Sequence, residues 1–307
     1  MRKILLKTIL IFVTMPLLIS AQPLNFGNTY TISSGADGYG RPRVALTNNQ
    51  PIVIWRKDST PKTIRASKWN GTGFSNPYNI TLSGVLPDSW DGPELATKGD
   101  TVYVVFTSTA TTQSSIMLIR SFDGGNTFSD TIRVSENNPS HKFRMGNIKI
   151  DQNGHPIVSY MQYLLNWTEP KQMVNRSITY GDSFIGSTEG SFSAPGEPCD
   201  CCKSSLILDN NDIYLLFRNN INNERNSYLS KSTDGGQSFN LVADLDDYDW
   251  NVNGCPATGP LGVVNGDSLL IVRRSGGTGN NEIVYLSLIH ISEPTRPRLI
   301  SYAVFCL

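Results

Sequence analysis

Apolar residues along the chain come in short runs, each following a polar turn. Asn48-Asn49-Gln50 precedes IVIW, Lys98-Gly99-Asp100 precedes VYVVF, and Asn153-Gly154 precedes PIVSY. Further on, Asn210-Asn211-Asp212 precedes IYLLF and Asn265-Gly266-Asp267 precedes LLIV. β-Branched and aromatic runs bounded by Asn-Gly or Gly-Asp turns predict hairpins. With Trp55, Phe106, Tyr160, Phe217 and Val272 as equivalent strand ends, the repeat recurs at 51, 54, 57 and 55 residues. A period near 50 residues that holds about four strands predicts a propeller blade. No stretch has the pattern of a long amphipathic helix. A sandwich would use more uneven units and a β-solenoid shorter ones. The expectation is an all-β propeller over residues 22–285, with five blades visible.

Two segments stand outside the repeat. Residues 1–21 carry Arg2, Lys3 and Lys7, an apolar run from Ile9 to Ile19, and then Ser20-Ala21. This is the pattern of a secretory signal cleaved after Ala21, so a secreted or periplasmic protein is expected. Pro16 interrupts the run, which speaks against a membrane anchor. Beyond it no apolar stretch approaches the roughly 20 residues that cross a bilayer, and no membrane partner is expected after cleavage. Residues 286–307 lack the repeat spacing and resemble translated sequencing-adapter read-through. On that reading the propeller is truncated at its C-terminal side, and six blades are expected in the intact protein.

Composition narrows the partners. Lys+Arg and Asp+Glu both number 26, so formal net charge is zero and no basic run invites nucleic acid. The 26 Gly and 17 Pro suit a turn-rich globular chain.

A second motif sits later in the repeat. Ser121 to Phe128 and Ser232 to Phe239 both read S-x-D-x-G-x-x-F. Ser67 to Phe74 keeps the Ser, the second Gly and the Phe without the Asp, and Thr179 to Phe184 is more degenerate. The Asp can accept turn N–H bonds, Gly supplies positive φ, and the aromatic packs beneath. Asp123 and Asp234 therefore read as fold-building residues, because one isolated carboxylate makes a poor calcium site. These motifs match the Asp-box of the sialidase and BNR-repeat superfamily. With the Cys-Asp-Cys-Cys run, WNVNGCPATGP (250–260) and the FRNN segment, the chain resembles exported bacterial sialidase-like proteins over roughly residues 25–285.

That resemblance implies a sialidase-like topology of four antiparallel strands per blade, with the Asp-box between the third and fourth. Its ligand funnel lies at the opposite end, where the chain leads into each first strand and loops from the second strand to the third. Residues expected on that rim include Arg41, Arg43, Asp88, Trp90, Asp91, Arg56, Asp58, Arg218, Glu224, Arg225 and Arg273. The implied activity is that of an exo-glycosidase on acidic, sialic-acid-type glycans, with a carbohydrate as partner and no cofactor. The alternative is a non-catalytic glycan-binding or scaffold propeller. Arg43, Arg218 and Arg273 would hold the sugar carboxylate, since a guanidinium fork matches an oxygen pair. The family has an aromatic-Arg-Ile-Pro string where this chain has GRPRVA, so Arg41 competes with Arg43. Arg56 and Arg225 are further substrate-side arginines, and Asp58 would be the catalytic acid. Retaining sialidases use a Tyr nucleophile assisted by a carboxylate. No Tyr is assigned here, and Glu224 is either that carboxylate or a partner for Arg225.

Outside the tail four cysteines remain, Cys199, Cys201, Cys202 and Cys255. An even count in an exported chain favours disulfides. One arrangement joins Cys199 or Cys201 to Cys255 and leaves Cys202 in a vicinal pair or as a free thiol. The rival is a copper(I) or zinc site. Cys-x-Cys-Cys lacks the two-residue spacer usual at zinc sites and has no His nearby in sequence, so no metal is expected.

Overall fold

The structure is a computed structural model that describes residues 27–33, 40–81, 87–88, 91–109, 113–279, 282–289 and 298–305, the last two ranges as backbone only. The expected signal segment and Trp90 lie outside the described residues. Among the described residues the regular structure is entirely β, in five antiparallel sheets. The first holds β1 (Gly40–Thr47), β2 (Gln50–Lys57), β3 (Thr63–Lys68) and β4 (Tyr78–Asn79). The second holds β5 (Glu94–Lys98), β6 (Thr101–Ser108), β7 (Ser115–Ser121) and β8 (Ile132–Arg133). β9 (His141–Ile150), β10 (Pro156–Leu164), β11 (Lys171–Arg176) and β12 (Ser187–Glu189) form the third. In the fourth, β13 (Glu197–Pro198) and β14 (Ser205–Asp209) both pair with β15 (Asp212–Asn220), followed by β16 (Ser227–Ser232) and β17 (Asn240–Asp244). β18 (Leu261–Asn265), β19 (Ser268–Ser275), β20 (Glu282–Ile289) and β21 (Arg298–Phe305) make the fifth. Its outer strands thus draw on the segment that resembles read-through.

First strands meet in succession, β1 beside β5, β5 beside β9, β9 beside β14 and β14 beside β18. Each core is shared between neighbouring sheets. Val102, Val104 and Phe106 of β6 join Ile52, Ile54 and Ile64 of the first sheet. The alternate residues Tyr103 and Val105 instead join Phe143, Val158 and Tyr160 of the third. In β15 the same division sends Ile213, Leu215 and Phe217 to the core with Ile157 and Val174, and Tyr214 and Leu216 to the core with Leu269 and Ile271. A strand buried on both faces must be apolar at every position, which accounts for VYVVF and IYLLF. The end sheets differ. Val44 and Leu46 of β1 are 68% and 57% exposed, and Leu261 and Val263 of β18 are 64% and 58% exposed, so among the described residues no neighbouring sheet covers these two flanks.

Local chemistry sets the turns. Asn48 and Asn49 both have positive φ, as a two-residue type I′ hairpin requires. Between β7 and β8, Asp123 accepts from Ser121 Oγ (2.6 Å), the Asn126 N–H (2.9 Å) and Thr127 Oγ1 (2.6 Å). Asp234, between β16 and β17, does the same with Ser232 Oγ, the Gln237 N–H and Ser238 Oγ. In the third sheet Thr179 Oγ1 takes the carboxylate's place and accepts the Ser183 N–H at 3.1 Å, which explains how that turn survives without the acid.

Candidate functional site

A β-strand whose pairing is interrupted can re-aim its side chains. Three of the five first strands are interrupted near their N-terminal ends. Pairing of β1 with β2 shifts register between Gly40 and Arg43, and Arg41 has φ of 53°. Pairing of β9 with β10 shifts between Ser159 and Met161, opposite Met145, whose φ is 61°. In the fourth sheet the break is larger, because the six residues 199–204 separate β13 from β14. Before β18, Ala257 also takes a left-handed φ of 54°.

Those interruptions surround one cavity of about 270 Å³, lined by Arg41, Arg43, Asp91, Met145, Cys201, Lys203, Ala257 and Gly259. All five sheets contribute. Three non-glycine residues with left-handed φ line this single space, and each such residue costs on the order of 1–3 kcal/mol that the surroundings must supply. Gly92, beside Asp91, has φ of 67°, and a Cβ there would lie 2.3 Å from the Arg41 Cβ, so only glycine fits. Gly259 likewise lets the main chain before β18 touch the Lys203 carbonyl, 1.8 Å from where a Cβ would sit.

The electrostatics of the cavity are uneven. Glu94, at the start of β5, accepts from Arg43 Nη2 and Lys203 Nζ, both at 2.7 Å. Burial works against its charge, yet the Lys203 charge and the Arg43 hydrogen bond prevail and hold the carboxyl below its ordinary value. Asp91 is the reverse case. Burial pushes its carboxyl up, although Lys203, Thr107 and the Met145 N–H oppose the rise. Asp91 Oδ2 accepts from Thr107 Oγ1 (2.8 Å) and the Met145 N–H (2.5 Å), while Oδ1 is buried with no hydrogen-bond partner among the described residues. A carboxyl held towards its neutral form, with one oxygen unused, can donate a proton.

The structure brings some of the expected rim residues here and spends others elsewhere. Arg41, Arg43, Asp91 and Cys201 line the cavity. Arg56 pairs with Asp58, whose side chain is 42% exposed, and neither lines the cavity. Arg218 is fully buried, and donates from Nε to the Thr258 carbonyl (3.1 Å), from Nη2 to the Arg274 carbonyl (2.7 Å) and from Nη1 to the Arg225 carbonyl. Its guanidinium also lies 5.0 Å from the Trp250 ring centre. Arg273 is buried in an ion pair with Asp246. Arg225 points Nη1 at Cys199 Sγ, 3.3 Å away, and is not paired with Glu224 through any described contact. A buried guanidinium must find acceptors inside the protein, so these three act as braces between loops.

Of the cysteines, Cys201 and Cys255 form a disulfide with Cα atoms 6.3 Å apart, and Cys199 and Cys202 are buried thiols. Sequence reasoning assigned no role to Asp91 and overlooked Glu94, Met145, Lys203, Ala257 and Gly259. The Asp91-Gly92-Pro93 turn just before β5 was the available signal for the first of them. A larger cavity, about 480 Å³, lies at the other end of β5 and β9. There Lys98 Nζ is already bound to the Asp151 and Gln152 carbonyls, and among the described residues the lining contains no arginine.

The sheets and their order define a sialidase-like β-propeller. The chain is similar to the K499G mutant of NanB sialidase from Streptococcus pneumoniae, at TM-score 0.60 and 9% identity, covering 92% of this chain and 64% of that one. It is also similar to the Hadza microbial sialidase Hz136, at TM-score 0.57 and 15% identity, covering 87% and 59%. A polysaccharide lyase, an ulvan lyase bound to -[GlcA(1-4)Rha3S]-, aligns at TM-score 0.53 and 13% identity, covering 84% and 66%. The chain therefore spans about six-tenths to two thirds of the length of these proteins. No protein-family model matches the sequence, and no curated protein matches it.

Proposed function

We propose that the chain is an exported, sialidase-like exo-glycosidase that takes one acidic sugar residue into the rim cavity. The observation that carries this reading is the convergence of Arg41 and Arg43 from β1 with Asp91 and Lys203 from the segments before β5 and β14 on one space. At about 270 Å³ the cavity sits near the low end of ligand pockets, roughly 300 Å³, and suits a single sugar better than a chain segment. The cations would engage the sugar carboxylate, and Asp91 would protonate the departing glycosidic oxygen. Asp58, exposed beside Arg56, is the competing acid. The Asp-box turns at Asp123 and Asp234 would brace the far end of the scaffold.

Fluorogenic sialosides and glucuronides offered to the folded chain test this. Turnover that falls about 10²- to 10⁴-fold in Asp91→Asn, the usual weight of a general acid, supports the assignment. Equal loss confined to Asp58→Asn moves the acid to that residue. One observation favours a second reading, a non-catalytic glycan-binding propeller: among the described residues the cavity lining contains no tyrosine, and Arg218 and Arg273 are committed internally. Acidic-sugar binding on a glycan array without turnover would establish that reading, and no binding at all would overturn both.

A further inference from the structure

The Cys201–Cys255 disulfide joins the segment before β14 to the segment before β18 on the cavity wall. Behind it the two remaining thiols are not scattered. Cys199 Sγ lies 3.5 Å from Cys201 Sγ and 3.2 Å from Cys202 Sγ. The Cys202 N–H donates to the Cys199 carbonyl at 3.1 Å, closing the turn that brings those two sulfurs together. Cys255, by contrast, is exposed.

We propose that these four residues form a thiol–disulfide exchange site, in which the Cys201–Cys255 bond migrates inward to Cys199 and Cys202 and leaves Cys255 as an exposed, modifiable thiol. In the first step the Cys199 thiolate attacks Cys201 Sγ. A Cys199–Cys201 bond forms, the Cys201–Cys255 bond breaks, and its electron pair leaves on Cys255 Sγ. In the second step Cys202, having passed its proton to a departing thiolate, attacks Cys199 Sγ and expels Cys201. One disulfide and two thiols stand on each side, so no outside oxidant or reductant is needed.

The groups around the sulfurs suit both ends of the first step. Exchange is favoured by an attacking thiol that is ionised and a leaving thiolate that is stabilised. Arg225 Nη1 donates to Cys199 Sγ at 3.3 Å, and the Ala257 N–H donates to Cys255 Sγ at 3.2 Å. A hydrogen bond with Cys202, the Cys201 N–H and the Arg225 charge hold the Cys199 thiol below its ordinary value, while Cys202 is pushed up. This account gives Arg225 and the Cys-Asp-Cys-Cys run a joint role that does not depend on which ligand the cavity takes.

Peptide mapping of the full chain tests it. Protein purified without reductant is incubated at mildly alkaline pH, quenched with acid, alkylated after unfolding, digested without reduction and read by mass spectrometry. The expected result is a fraction of Cys255 that carries the alkyl group, matched by an internal disulfide in the 199–203 peptide. In Cys199→Ser that fraction falls to background, whereas in Cys202→Ser exchange stops at Cys199–Cys201 and Cys255 is still labelled. Wild-type protein with Cys255 wholly cross-linked and both inner thiols alkylated overturns the proposal, whatever the variants do. So does protein with no alkylatable thiol among the four, or equal labelling of Cys255 in wild type and Cys199→Ser.

Discussion

On the side of the rim built by the first two sheets, Arg43 keeps about a third of its side chain in solvent and shares Glu94 with Lys203. On the side built by the fourth and fifth sheets, Arg218, Arg225 and Arg273 are all under a tenth exposed. The residue type is the same, but Arg43 stands on a first strand, whereas Arg218 and Arg273 stand on second strands and Arg225 in the loop after one. The difference is where the donors go. A partly exposed guanidinium can exchange water for a ligand, whereas a buried one must be satisfied before any ligand arrives. Arg43 is therefore open to a ligand, whereas Arg218, Arg225 and Arg273 tie neighbouring segments together.

The largest effect that would break this contrast concerns Arg218. Arg218→Met removes donors to three carbonyls, those of Thr258, Arg225 and Arg274. Each acceptor stranded in the interior costs about 1–3 kcal/mol, so a loss of roughly 3–5 kcal/mol is expected in urea unfolding. If Arg218→Met kept full stability and lost only acidic-sugar affinity, the brace reading would fail.

Asp246→Ala should come next, at about 3 kcal/mol, because it leaves Arg273 charged and unpaired in the interior. Ser275 Oγ (2.8 Å) and the Ser227 N–H (2.7 Å) lose an acceptor as well. The double variant Asp246→Ala/Arg273→Met should recover part of that loss, since removing both charges avoids the stranded one. Unfolding curves for the two single variants and the double form the cycle that checks it.

Arg43→Ala should reverse the balance. A partly exposed pair contributes at most about 1 kcal/mol, and Glu94 keeps Lys203, so stability should scarcely move. Acidic-sugar affinity should fall about 10- to 100-fold, the weight of one charge-assisted hydrogen bond. Calorimetric titration with sialic and glucuronic acids reads that change.

How far the sequence foretold this molecule follows the same division. The propeller was legible because period, turn chemistry and apolar runs are local properties. VYVVF is apolar throughout since alternate residues enter different cores, and that shows in the sequence itself. The partition of the arginines was not legible. The acceptors of Arg218 stand at positions 225, 258 and 274, and only folding brings them within reach. Nor does sequence mark Arg41, Met145 or Ala257 as left-handed, because these residue types carry no preference for that region. The cysteine pairing stayed open for a further reason: neighbouring cysteines in one short run are equivalent until the backbone places their sulfurs.

The pH dependence of stability gives the finest test, because Asp91, which lines the cavity, and Glu94, which pairs with its Arg43 and Lys203, should respond with opposite sign. Glu94 is held below its ordinary value, so its contribution is present above that value and lost as pH falls through the lower folded value. Asp91 is pushed above its ordinary 3.8, so the folded chain binds that proton more tightly than the unfolded one. Its favourable contribution is present at acid pH and is lost as pH rises through the folded value, beyond which a charged carboxylate sits buried at a cost. Asp91→Asn keeps an oxygen for Thr107 and Met145 and removes the charge. Its melting temperature should match that of the wild type in acid and exceed it increasingly towards neutral pH. Glu94→Gln should instead match in acid and fall below. Parallel profiles for Asp91→Asn and wild type would show an ordinary carboxyl at position 91, and the cavity would then lack the acid that chemistry on a glycosidic bond requires.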